Sequence, residues 1–192
     1  MKRVASLSLD LDNKWSYLQT LGDERWKEFA TYLPTMVPRT LEFLSQRDIK
    51  ITFFIVGRDA SIAENEPYLR SISDHGHEIG CHSFKHEPWL HFYSREEIDA
   101  ELNEAEESII SATGQRPKGF RGPGYSISSD LLRVLQDRGY EYDCTSFPNI
   151  LNPIARAYIF KRSKLSDEEK ERRGAIFGTS KEALRPLKPY FW

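Results

Sequence analysis

Long apolar runs are missing from this sequence. None approaches the ~18 residues that a membrane-crossing helix needs, so the reading is no membrane span. An excess of charge of one sign is missing too. The formal net charge is -2, with both signs interspersed, which argues against a nucleic-acid partner or an anionic membrane surface. Cysteine is scarce: only Cys81 and Cys144 occur, without CxxC spacing, and both read as small buried fillers rather than a disulfide or a ligand pair. The opening "MKRVASLSLDLD" has a basic head but acquires aspartates within about ten residues, where a secretory signal would carry an apolar core. The chain therefore reads as cytoplasmic. What is present is an ordinary globular composition, 39% hydrophobic and 29% charged over 192 residues, enough for one domain over residues 1–192 with a full core. The ordered pattern runs from about residue 4 to 148.

Strand and helix patterns alternate along that stretch. Val4 to Leu11 reads as a first strand, and "IKITFFIVG", Ile49 to Gly57, as a second that is buried on both faces because it is nearly continuous in apolar residues. Between them a helix is expected over Pro34 to Gln46, with Pro38 in an early turn. A helix over Pro67 to Asp74 should stop at Gly76, followed by a third strand in "HEIGCH". Ser94 and Glu97 form a capping box for a long helix with Ile98, Leu102, Ala105 and Ile109 on its core face. "KGFRG" is a fourth short strand, Ser129 to Arg138 a helix stopped by Gly139, and "YEYDCT" a fifth strand. Repeated βα units of this kind argue a parallel α/β sheet or barrel, although five strands fall short of the eight that close a full barrel. Past about Pro148 the pattern fails, and the charge-rich stretch there reads as a solvated helix or loop.

One detail needs an explanation. In "LSLDLDNKW" strand periodicity puts Asp10 and Asp12 on the same face, about 7 Å apart. Like charges that close require solvent or a positive partner. Chemistry in parallel α/β folds gathers at the carboxyl ends of the strands, where this chain carries Asp10 and Asp12, then His82 and His86, then Arg121, then Asp143. The "HSFKH" spacing predicts two imidazoles stacked on one helical turn and able to hold one divalent ion. One carboxylate added to them makes the set of an open, catalytic metal site. HxxxH, DxD and RGPG are each common by chance, as surface histidines, a strand end and a tight turn. Their joint occurrence at successive strand ends is the informative feature.

In that order, "SLDLD", "GHEIGCHSFKH", "FRGPGYS" and "YEYDCTSFP" resemble the motifs of the polysaccharide deacetylases, carbohydrate esterase family four, over roughly Val4 to Pro148. The resemblance implies an incomplete, distorted (β/α) barrel that hydrolyses N- or O-acetyl groups of an acetylated carbohydrate with one divalent metal ion, Zn²⁺ foremost and Co²⁺, Ni²⁺ or Mn²⁺ as alternatives. Carried over by motif, Asp10 looks like the catalytic base, Asp12, His82 and His86 like the metal ligands, and Arg121 like the residue holding the base in place. Asp143 lies in the motif that tunes the acid/base pair. A backbone N–H after Pro123, of Gly124 or Tyr125, would face the oxyanion. Trp15, Trp89, Phe92, Tyr93, Tyr125 and Phe147 follow the motifs closely and could stack on a sugar or simply pack.

This sequence departs from the family pattern twice. A leucine separates the two aspartates, as in a branch that includes peptidoglycan-deacetylase-like and allantoinase-like enzymes, so a small amide is an alternative substrate. The family's closing motif, a strand with a histidine that serves as general acid, should follow "YEYDCT", but the five histidines all lie between His75 and His91. The chain thus reads as truncated at its C-terminus, with open strand edges that invite oligomers. A catalytically silent metal- and glycan-binding domain is the competing reading. A structural zinc site would need four protein ligands, and only three converge. Of the remaining histidines, His75 and His77 read as turn and strand residues and His91 as a surface loop residue. The role of Glu78 in the third strand stays open.

Overall fold

Phe53, Phe54 and Ile55 are sealed from solvent, as an uninterrupted apolar run requires of a strand covered on both faces. The computed structural model of the protein describes residues 5–125 and 127–146, with Tyr158, Ser166 and Phe191. Five strands, β1 (Ser8–Leu11), β2 (Thr52–Ile55), β3 (Glu78–Cys81), β4 (Gly119–Phe120) and β5 (Tyr142–Asp143), form one sheet in the order β1-β2-β3-β4-β5. Every pairing is parallel. The crossovers carry α1 (Lys14–Thr20) and α2 (Leu33–Ser45), then α3 (Gly57–Ala60) and α4 (Glu66–Asp74), then α5 (Arg95–Thr113), then α6 (Ser129–Asp137). α2 packs on α4, α4 on α5 and α5 on α6. Helices in chain order along one face of a sequentially ordered parallel sheet are the arrangement of a (β/α) barrel, not of a doubly wound sheet.

The register explains the two faces. Leu9, Phe53 and Ile79 lie in one row, and Leu11, Ile55, Cys81 and Phe120 in another. These rows meet Val37, Leu41, Leu69, Ile98, Leu102 and Leu131 of the helices in one continuous core. The intervening row holds Asp10, Phe54, Gly80, Gly119 and Tyr142 and projects to the other face by the two-residue period of a strand.

Local chemistry sets most boundaries where the sequence puts them. Ser94 and Glu97 make both halves of the capping box of α5, and Ile98, Leu102, Ala105 and Ile109 are fully buried. Gly76 and Gly139, at φ +72° and +78°, follow the ends of α4 and α6. Pro38 is the exception. Pro34 takes the first turn of α2, and Pro38 lies a turn further in, where it removes one backbone hydrogen bond. The strands are shorter than the apolar runs suggest. β2 ends at Ile55 because the Gly57 and Arg58 N–H groups turn away to the carbonyls of Ser83 and Phe84, at 2.8 and 3.1 Å. Cys81 is a buried filler as expected, whereas Cys144 is half-buried and in contact with the Arg121 guanidinium. Val4, Phe147 and almost all of the stretch past Pro148 lie outside the described residues.

Gly80 is one of the points where the sheet leaves no room for a side chain. A methyl there would come within 2.5 Å of the Phe54 ring, whose face carries the Arg121 guanidinium at 4.3 Å. Gly80→Ala should therefore destabilise the fold by about 1–3 kcal/mol through overpacking. Urea unfolding checks this, and an unchanged midpoint would mean that the Phe54 ring has room to move.

Candidate functional site

Three ligand-type side chains meet at the carboxyl ends of β1 and β3. Asp12 follows β1 directly, and its Oδ1 lies 3.4 Å from His82 Nε2 and 3.3 Å from His86 Nε2. The candidate ligand atoms of the three residues all fall within 4.8 Å of one another. Both histidines are buried, and their rings sit 4.8 Å apart at 71°.

The helical turn expected for "HSFKH" does not form. Residues 82–86 are a loop in which Ser83 and His86 adopt left-handed backbone, at φ +58° and +56°. That conformation costs about 1–2 kcal/mol per non-glycine residue, and the surroundings hold it in place. Besides the bonds from α3, the N–H groups of Phe84 and Lys85 donate to the Glu101 carboxylate of α5 at 3.1 and 2.6 Å, and the His86 N–H donates to Ser83 Oγ at 3.1 Å. A helix would stack the two rings along its own surface. The loop aims both at Asp12 instead. Glu101 is buried and is a supporting residue that pattern alone cannot single out, because one acid on an acid-rich helix looks like any other.

The arrangement fits a divalent ion. Asp12 Oδ1 and His86 Nε2 are buried without hydrogen-bond partners, a costly condition unless something positive lies between them. Burial acts to raise the Asp12 carboxyl, yet His86, His82 and the Tyr17 hydroxyl outweigh it and hold it at about 2. Burial, then the neighbouring His86, pushes His82 below its ordinary value, towards the neutral ring that ligates metals. His82 Nδ1 faces the Arg121 carbonyl in a short hydrogen bond, which fixes its tautomer and leaves Nε2 on the Asp12 side. Two imidazoles and a carboxylate suit Zn²⁺ and similar ions with coordination positions to spare.

Asp10 has a different partner. Arg121 Nη1 donates to Asp10 Oδ1 at 2.6 Å, and Nη2 to Ser8 Oγ at 2.9 Å. The structure thus gives the two aspartates separate positive neighbours. Asp143 Oδ1 accepts from the Thr145 N–H and hydroxyl, and Thr145 Oγ1 accepts from the Gly122 N–H at 2.7 Å. Asp143 therefore reaches the site through the loop after β4. In that loop Gly124 has φ +68°, and a Cβ there would meet Pro88 at 2.5 Å, so the loop rests on Pro88. Tyr125, at φ +58°, donates its N–H to Gly122 O at 3.3 Å.

The aromatic candidates divide. Trp15 is buried and donates to Asp59 Oδ1 at 2.8 Å, and Tyr93 packs against the core, so both are packing residues. Phe92 is exposed, and Trp89 is half-buried. Tyr17 went unread in the sequence because the helix that presents it is short. It is more than half exposed, donates to Asp12 Oδ2 at 3.0 Å and lies 6.3 Å from the His86 ring. His75 is an exposed turn residue, whereas His77 is buried and accepts the Ile51 N–H on Nδ1. Glu78 accepts from Thr52 at 2.8 Å and from the Tyr142 hydroxyl, which makes it a link between β2, β3 and β5. His91 is half-buried against Phe92 rather than free on the surface.

Comparison with known proteins is consistent with this geometry. A family model described as polysaccharide deacetylase matches residues 20–142, a span that begins after the two aspartates. A peptidoglycan deacetylase of Helicobacter pylori is 29% identical over 117 residues, which is 61% of this chain and 39% of that relative. A polysaccharide deacetylase structure from Mycobacterium smegmatis superimposes with a TM-score of 0.63 at 27% identity, over 72% of this chain and 49% of the other. A family-four pseudoenzyme structure from Bacillus anthracis gives 0.56 at 25% identity, over 72% and 41%. The chain thus spans less than half the length of each. No helix among the described residues is long and apolar enough to cross a membrane.

Burial holds His91 at about 4, below its ordinary 6.5. The unfolded chain then takes the proton first, so this residue costs stability as pH falls from about 6.5 towards 4. His91→Gln should lose about 1 kcal/mol less than wild type between pH 7 and 5, after allowance for partial exposure. Urea unfolding in EDTA at the two pH values measures it, and equal losses would contradict the assignment.

Proposed function

The chain belongs to the polysaccharide deacetylase family, and from that membership we propose that it removes acetyl groups from an N- or O-acetylated carbohydrate, using one divalent ion, Zn²⁺ foremost, held by Asp12, His82 and His86. The observation that carries the reading is the division of the two aspartates, one facing two imidazoles and the other facing a guanidinium. When bound, the ion supplies Lewis acidity that activates water and polarises a carbonyl. Asp10 is the base. Arg121 holds one of its oxygens and Ser8 holds Arg121, so the carboxylate is aimed to take a proton from the attacking water. Of the two backbone N–H groups in the loop after Pro123, that of Tyr125 is given to the Gly122 carbonyl, so that of Gly124 serves the developing oxyanion. Asp143 keeps that loop in register through Thr145 and Gly122. Trp89 and Tyr17 stand at its border as walls for a sugar ring.

The spaced Asp10-Leu11-Asp12 motif and the name of the Helicobacter pylori relative favour the amino sugars of peptidoglycan within that substrate class. A second reading has its own support. A family-four pseudoenzyme is among the structures this chain resembles. In that reading the domain binds metal and glycan without turnover.

Acetate release from acetylated chito-oligosaccharides, acetylxylan and peptidoglycan fragments, measured with zinc loaded, separates the two. The expected outcome is release by wild type, and for Asp10→Asn a loss of about 10²–10⁴-fold with zinc binding kept. Asp12→Asn should lose zinc binding itself. The reverse pattern would exchange the two roles, and glycan binding without acetate from wild type would establish the silent domain.

A further inference from the structure

His82 and His86 present Nε2 to the same oxygen of Asp12, but only His82 has an acceptor behind it, the Arg121 carbonyl. His86 Nδ1 is buried without a hydrogen-bond partner. An imidazole that ligates through Nε2 carries its proton on Nδ1, and metal-bound histidines nearly always give that N–H to a carboxylate, carbonyl or water. A buried acceptor nearby is equally unfilled. Asp59 is 1% exposed, its Oδ2 has no hydrogen-bond partner, and its helix is bonded both to Asn13, next to Asp12, and to Ser83 and Phe84 of the His86 loop.

The other oxygen of Asp59 is fully engaged. Oδ1 accepts from Asn13 Nδ2 at 3.0 Å and from Trp15 Nε1 at 2.8 Å, which ties the segment just after Asp12 to α3. The backbone of α3 in turn holds Ser83 and Phe84 of the histidine loop. A purely structural clasp would need only one acceptor oxygen, which an asparagine supplies without the cost of burying a charge. The carboxylate brings a second oxygen and a negative charge, and nothing in the clasp uses either.

Building on the metal-site reading above, we infer that Asp59 is a positioning residue for the metal centre: Oδ1 anchors the chain after Asp12, and Oδ2 accepts the Nδ1–H of His86. The residue sets the tautomer and aim of the one ligand that no other described group orients, and it adds negative charge behind the ring.

Asp59→Asn tests this, because it keeps an oxygen for Asn13 and Trp15 while turning the Oδ2 position into a donor. Zinc affinity, read by competition with a chromophoric chelator, should fall about 10–100-fold, with the melting temperature in EDTA close to that of wild type. Affinity within twofold of wild type would overturn the inference and leave the metal site standing. A wild-type chain that takes up no zinc would overturn the metal site and this inference with it. Should Asp59→Asn fail to fold, long-range proton–nitrogen NMR of the zinc-loaded wild type decides. A protonated, hydrogen-bonded Nδ1 on His86 is expected, and coordination through Nδ1 would overturn the assignment.

Discussion

Two carboxylates on one strand face, two residues apart, repel each other unless each has its own positive neighbour, and the rest of the site is arranged around that requirement. Arg121 comes from the end of β4 to meet Asp10 at 2.6 Å, crossing over β2 and β3. It can do so because the row beneath it is flat at the right places. Phe54 offers a ring for the guanidinium to lie on, and Gly80 leaves that ring space. The Arg121 carbonyl at the same time orients His82. One residue thus holds Asp10 through its side chain and His82 through its backbone, which couples the two halves of the candidate site.

The other half depends on a loop in a backbone conformation that its residues do not favour. Ser83 and His86 are left-handed without being glycine, and the cost is offset by hydrogen bonds from α3 and by the buried carboxylate of Glu101. Two acids outside any metal-binding motif, Glu101 and Asp59, therefore stand behind the histidine loop and the segment after Asp12. Both are attached to helices packed in the core, so the geometry of the loops is referred to rigid elements. This is the condition for three candidate ligand atoms to stay within a few ångströms of one another.

How much of this was readable in the sequence follows from the range of each interaction. Helix limits, the capping box of α5 and the helix-ending glycines depend on neighbours within about four residues, and they were found where the pattern put them. The parallel pairing and the gathering of Asp12, His82, His86 and Arg121 at strand ends were also readable, since parallel βα units send successive strand ends to one side. The loop at 82–86 was misread as a helical turn because i, i+4 spacing is compatible with both, and the deciding contacts come from Gly57, Arg58 and Glu101. Asp59, Glu101, Thr145 and Tyr17 escaped notice for the same reason. Their partners are distant in sequence, or their residue type is common on any surface. Periodicity leaves Trp15 open between stacking on a sugar and packing, and the bond of its indole to Asp59 settles it as packing.

The open side of the site then constrains what can bind. His82 and His86 are buried, while the exposed Tyr17 reaches Asp12 Oδ2 with its hydroxyl. Aromatic rings recognise the apolar face of a sugar through area and stacking, with little demand on linkage. Tyr17 is further limited, because its hydroxyl donates to Asp12 Oδ2, so moving the ring away costs Asp12 that partner. On the proposed function, Tyr17 is therefore the sugar-facing ring whose position is tied to the candidate metal site.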